Sequence, residues 1–185
     1  MDVTVVPLEL HPNAENFLFE HFVAVRKIFS DVIGQLETDY LSITLINPQQ
    51  QVFFFSSHPS IQQNLIVEHT WSFHGAYQPD FINQKHPKLW SELHSDSTAT
   101  IIQKCKQAHG LIAGIAIPTH YNDYQVALSF GFKKVNRFTQ NKTPFHCKQL
   151  LGLGQYCLRE FNERLSFPDK LSKRPHLQLV TNNKA

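Results

Sequence analysis

Gly110-Leu-Ile-Ala-Gly114-Ile-Ala-Ile-Pro118, followed after Thr119 to Asp123 by Tyr124-Gln-Val-Ala-Leu-Ser-Phe-Gly-Phe132, decides the fold class. Ile112 to Pro118 and Tyr124 to Phe132 are rich in β-branched and aromatic residues, and the polar loop between them predicts a hairpin. A second hairpin is read upstream. Tyr40 to Ile46 alternates around β-branched residues, Asn47-Pro48 is a turn signal, and Val52 to Phe55 is a short apolar run.

Helical patterns surround these pairs. Phe17, Phe22, Val25, Phe29, Val32, Ile33 and Leu36 recur at steps of three and four, predicting one helix from Asn13 to Leu36 with Asn13 as its cap. Thr98 to Ala108 sets Ile101, Ile102, Cys105 and Ala108 to one side, with Asp96 or Ser97 as cap and Gly110 as the stop. Thr143-Pro144 opens a long helix through Leu150, Leu151, Leu153, Cys157, Leu158, Phe161 and Leu165, and Pro168 and Pro175 mark its end. Ser60 to His69 has helical character. Ala76 to Leu93 mixes Pro, aromatic and amide residues without a sustained period and reads as short helices over a sheet. Because strands come in pairs between helices, the order predicts an α+β fold: an antiparallel sheet of about five strands sandwiched between helices. Ligand space is expected between the sheet and the irregular layer, Ser60 to Leu93.

With 185 residues, 42% apolar and 17% charged, the chain can bury one sizeable core, expected over residues 1–165. Residues 166–185 read as a basic, flexible tail. It holds Lys170, Lys173, Arg174 and Lys184 against Asp169, so the net charge of +2 leaves the body slightly acidic and without a nucleic-acid footprint. No leader pattern or membrane-length apolar run occurs, and the three cysteines, Cys105, Cys147 and Cys157, fit free thiols in a cytoplasmic protein.

Catalytic and metal motifs are missing from the sequence. The eleven histidines form no His-x-His or His-Glu-x-x-His, and there is no Cys-x-x-Cys, so neither a metal nor another cofactor is expected. No Gly-x-Ser-x-Gly turn offers a nucleophile. Gly152-Leu-Gly154 falls inside a helical pattern and reads as close helix packing. Ser129-Phe-Gly131-Phe132-Lys133-Lys134 resembles the Gly-Phe segment of GNAT acyltransferases, but the glycine-spaced acyl-CoA loop that should precede it is absent.

Four pieces in order carry a broader resemblance, from Phe22 to Leu165. They are Ile33-Gly34 leading to Tyr40–Ile46; Ser56-Ser57-His58-Pro59; Pro87-Lys-Leu-Trp90; and Gly110 to Pro118 followed by Ala127-Leu-Ser129-Phe130. Together they resemble the autoinducer-binding domain of LuxR-type transcription regulators. The resemblance implies an α-β-α sensor of PAS/GAF-like architecture that holds a small amphiphilic signal, typically an acyl-homoserine lactone, between sheet and helices. The family's polar clamp is altered. His58 stands where the family has Tyr, Gln62 where it has the lactone-holding Trp, Ile66 where it has a further Tyr, and its Asp falls at Gly75 or, shifted, at Gln78-Pro79 beside Asp80. Trp90 matches the pocket-wall aromatic, and Ser129 falls where a hydroxyl often meets the acyl carbonyl.

The resemblance therefore implies a non-catalytic, LuxR-like quorum-sensing domain. Its expected ligand-binding residues are His58, Gln62, Ile66, Trp71, Tyr77, Asp80, Trp90, Ile101 and Ser129. Expected partners are an amphiphilic ligand and either a second copy or a full-length regulator, with no membrane. The family's helix-turn-helix output spans about sixty residues, so direct DNA binding is not expected from the short stretch after Leu165. The competing reading is an interaction module of the same fold whose pocket is filled, with Trp90 as core packing.

Overall fold

Both hairpins form, and their long strands join into one sheet. The computed structural model describes residues 7–93, 97–140, 143–165 and 167. Its strands are β1 (Glu9–Leu10), β2 (Tyr40–Ile46), β3 (Gln51–Ser56), β4 (Lys88–Leu89), β5 (Ala113–Tyr121) and β6 (Tyr124–Phe132). Their order across the sheet is β1-β3-β2-β6-β5-β4. The sheet has six strands and is mixed, because β1 runs parallel to β3 while the other pairs are antiparallel. The α+β class is as expected, with one strand more than the five or so read from the sequence and one parallel pair. β1 and β4 span two residues each, too short for a period of two to show in sequence.

The loop expected at Thr119 to Asp123 shrinks to Asn122-Asp123, since the ladder continues to Tyr121 opposite Tyr124. Asn122 takes φ +51°, a left-handed conformation that Asn tolerates better than most residues.

The helices are α1 (Ala14–Glu20), α2 (Phe22–Ser30), α3 (Pro59–Val67), α4 (Pro79–Ile82), α5 (Trp90–Leu93), α6 (Ser97–Gln107), α7 (Arg137–Gln140) and α8 (Pro144–Arg164). The single helix expected from Asn13 to Leu36 is broken at His21 and ends in a 3₁₀ turn, Gln35–Glu37. The two halves have different supports: α1 packs on β3, whereas α2 packs on α8. Tertiary packing overrides a continuous period here. Asn13 does not cap with its side chain; its N–H donates to His11 Nδ1 at 3.1 Å. The start of α8 is as expected, with Thr143 Oγ1 accepting from the N–H of His146 at 3.3 Å and Pro144 in the first turn.

Alternation in the strands gives the sheet two unlike faces. Leu41, Ile43, Leu45, Phe53, Phe55, Ile115, Ile117, Val126, Leu128, Phe130 and Phe132 turn to α1, α2 and α8 and form the main hydrocarbon core. Phe55 stacks on Phe161 with centroids 4.1 Å apart. Gly154 lets α8 approach closely, because a Cβ there would overlap Leu128; Gly152 has open space and needs no such account. Phe167 is also buried, edge-on to Phe53 and Tyr124 at 6.1 and 5.6 Å, so the packed body continues past Leu165. The rest of the expected tail lies outside the described residues.

Phe167→Ala should lower the unfolding free energy by about 3 kcal/mol, read by urea denaturation, whereas a residue of a solvated tail would leave it unchanged.

Candidate functional site

The opposite sheet face carries small and hydroxyl side chains. Tyr40, Ser42 and Thr44 on β2 alternate with the hydrocarbon set, as do Ser56 on β3, Ser129 and Gly131 on β6, and Gly114 and Ala116 on β5. Register places Ser56, Ser42, Ser129 and Ala116 in one row across four strands, and Tyr40, Gly131 and Gly114 in the next. Ser42, Thr44, Ser56 and Ser129 are all buried. Buried hydroxyls must find hydrogen bonds or cost free energy.

Trp90 covers the second row. It follows β4, whose Leu89 pairs with Ile115, so its indole extends over Gly114 and Gly131 toward Tyr40. A Cβ at Gly131 would stand 2.7 Å from the indole, and one at Gly114 would overlap it. The indole N–H donates to Ser129 Oγ at 2.9 Å, and the ring meets Tyr40 edge-on at 6.1 Å.

Behind Trp90, Gln62 Nε2 donates to the Tyr40 hydroxyl at 2.6 Å. Burial pushes the Tyr40 phenol up, opposed by side-chain hydrogen bonds with Ser42, Gln62 and Ser56. The buried Oε1 of Gln62 has no hydrogen-bond partner among the described residues. Tyr77 stacks on His74 at 4.6 Å. Its phenol is also pushed up by burial, with a bond to Thr44 acting against the shift.

In front of Trp90 lies a cleft of about 290 Å³, walled by Leu89, Ile102, Lys106, Leu111 and Gly114. Lys106 is 4% exposed. Its Nζ sits 3.7 Å from the Trp90 ring centroid and 3.3 Å from His74 Nε2. Burial pulls the Lys106 ammonium down to about 7.

Among the residues singled out from the sequence, Gln62, Ile66, Tyr77, Trp90 and Ser129 gather between the sheet and the layer over it. His58 stands at the edge of this group. It is half-buried, 5.8 Å from the Tyr40 ring and 5.9 Å from His109, and burial holds its imidazole below the ordinary value. Trp71 is half-buried against the cluster of Ile66, Tyr77 and Phe54.

Two expected residues do not join. Asp80 is exposed in the first turn of α4, where Phe81 and Ile82 turn inward instead. Ile101 is 49% exposed because its neighbour Ile102 takes the inward position on α6. Neither position considered for the family aspartate offers a carboxylate: Gly75 packs against the Leu93 backbone, and Gln78 Nε2 donates to the Ser72 carbonyl at 2.8 Å. Tyr40, His74 and Lys106 were missed. Lys106 follows Ile102 by one turn, a spacing that marks a shared helix face, but a lysine there reads as solvated. No cluster of metal-ligating side chains occurs among the described residues.

No protein-family model matches the sequence, and no curated protein matches it. Solved structures do. Escherichia coli SdiA aligns over 83% of this chain and 69% of its own, with TM-score 0.60 and 17% identity. SdiA in complex with octanoyl-rac-glycerol aligns over 77% of this chain and 59% of its own, with TM-score 0.53 and 18% identity. CepR2 from Burkholderia cenocepacia, an N-acylhomoserine-lactone-dependent LuxR family transcription factor, aligns over 85% of this chain and 97% of its own, with TM-score 0.51 and 12% identity. The fold is that of the LuxR autoinducer-binding domain. Within this LuxR-type fold, the Gly131-Phe132 pair that resembled an acyltransferase segment lies on β6, where Gly131 makes room for Trp90.

Gly131→Ala should displace the indole, costing about 1 to 3 kcal/mol of stability and shifting Trp emission to the red; unchanged emission would show that the ring is not held there. Lys106→Met should raise stability at neutral pH. The folded value of Lys106, about 7, lies below its ordinary 10.5, so the unfolded chain binds the extra proton between them. Stability attributable to this group therefore rises with pH across that window. The advantage of Lys106→Met over wild type should shrink by about 1.4 kcal/mol per pH unit from about pH 7 to 9, measured by denaturation at each pH.

Proposed function

We propose that this domain is a non-catalytic sensor that binds a small amphiphilic acyl compound beside Trp90. The observation that carries the reading is the asymmetry of the sheet. One face is sealed by hydrocarbon, while the other buries hydroxyls, an amide whose carbonyl has no partner among the described residues, and a lysine, and opens at Trp90 to a cleft. An acyl chain needs apolar walls and its carbonyls need donors to replace water. The cleft volume is at the small end of ligand pockets, about 300 to 1,000 Å³, which suits a medium-length chain. That SdiA has been seen with octanoyl-rac-glycerol supports this class of ligand.

The altered positions His58, Gln62 and Ile66 support a ligand other than a standard acyl-homoserine lactone. Binding would order the layer from Ser60 to Leu93 and change association with a second copy or a full-length regulator, as expected when a ligand prefers one conformer. The cleft beside Trp90 weighs against the reading of a filled interaction module.

The chain has two tryptophans, so Trp71→Phe leaves Trp90 as the reporter. Titration of that variant with octanoyl-glycerol and with a series of acyl-homoserine lactones should change Trp emission. Affinity for the better class should rise about threefold to fourfold per added methylene, as about 0.8 kcal/mol per buried CH₂ requires, until the cleft is filled. Silence of Trp90 toward every acyl compound, with no ligand released on denaturing the purified protein in native mass spectrometry, would overturn the sensor reading.

A further inference from the structure

We propose that the occupant of the cleft carries a carboxylate, as a medium-chain acyl acid or acyl conjugate does, and that Lys106 is its counter-ion. This rests on the reading that the cleft takes an amphiphile, and it names the head group.

Lys106 is a wall of the cleft and is almost fully buried, yet no carboxylate is placed against it among the described residues. Its two polar neighbours among the described residues, Trp90 and His74, do not neutralise it. Trp90 offers only a π face, a weak partner for a cation. His74 is constrained by its other nitrogen: Nδ1 accepts from the Ala76 N–H at 3.2 Å, so the ring proton sits on Nε2 and points at Nζ. An Nε2–H facing an ammonium offers it no acceptor. The arrangement suits either a neutral amine accepting from His74 or an added acceptor for the ammonium.

A carboxylate is that acceptor, and it brings the negative charge that the ammonium lacks among the described residues. A neutral ester or lactone could accept a hydrogen bond but would leave the buried charge uncompensated. The remaining walls choose the rest of the molecule. Leu89, Ile102, Leu111 and the half-exposed Ile112 at the rim favour a hydrocarbon tail, and one lysine suits a monoanion better than a phosphate dianion.

Among the described residues, the titratable groups beside Lys106 are His74, from the segment preceding the Gly75–Tyr77 turn, and Cys105 on its own helix; Glu92 of α5 directs its carboxylate to the Leu89 N–H. With the free amine near 7, acid binding should be flat below that pH. Above it, binding must take up a proton, so affinity should fall about tenfold per pH unit.

The test compares octanoate and dodecanoate with neutral octanoyl-glycerol and methyl octanoate on the full chain, by calorimetry between about pH 6 and pH 9. At the acid end, octanoate should bind at least about tenfold tighter than its methyl ester, and this preference should disappear above neutrality. Lys106→Met should lose the preference and the pH slope while still binding the neutral esters. Lys106→Arg, which keeps the charge without titrating, should keep the preference and lose the slope. Equal binding of acid and ester by the wild type, or a preference that survives in Lys106→Met, would overturn the assignment. If acids, esters and lactones all fail to bind, the amphiphile reading itself falls, and the head group with it.

Discussion

An indole can lie on this sheet because two paired strand positions have no Cβ. Gly114 and Gly131 face each other across β5 and β6, and Trp90 crosses both to reach Tyr40. The other contacts of the site follow from that seat. The N–H of Trp90 donates to the buried Ser129 hydroxyl, so that both groups have a partner. The ring's exposed side becomes the platform for Lys106. The indole thus divides a closed hydroxyl-lined interior from an open cleft.

The two faces of the sheet share the same strands but have different duties. Cohesion comes from the hydrocarbon face, where Phe17, Phe29, Phe53, Phe55, Phe161 and Phe167 meet in a continuous aromatic cluster. With that half secured, the other can keep groups that a purely structural core would replace, such as the unmatched Gln62 carbonyl and the lysine. Such groups weaken the empty fold. On the proposed reading a ligand would supply the partners they lack among the described residues, which is the usual relation between a binding site and the stability of its scaffold.

Much of this was legible in the chain. The hairpins and the opening of α8 carried strong local signals, and Gln62 and Ile66, singled out through the family resemblance, are buried on α3. What escaped had physical causes. A two-residue strand is held by its neighbour's hydrogen bonds and leaves little pattern of its own, so β1 escaped and β4 showed only as the extended block Pro87 to Trp90. The break at His21 depends on which element each half packs against, which no periodicity encodes. Ile101 and Ile102 are adjacent on one helix and project about 100° apart, so one had to face away, and the face that Ile102 chose brought Lys106 inward. A charged residue on an apolar face is legible as a site only once the cleft beside it is known.

The layer over the site is itself weakly built. After α3 it consists of 3₁₀ turns at Trp71–Phe73 and Gly75–Tyr77 and the four-residue α4 and α5, with positive φ at His69 and Lys85. Helical pieces this short have little stability of their own, so their order depends on side-chain contacts. Those contacts run in a chain: Lys106 to His74, His74 stacked on Tyr77, and Tyr77 against Phe54 of β3. A molecule that engages Lys106 therefore bears on the same side chains that fix the layer to the sheet. Any difference in its affinity for the fixed and loosened layer becomes a shift in their populations. On the proposed reading no hinge between rigid bodies is needed, because the layer beside the cleft is also the part whose short helical pieces have least stability of their own.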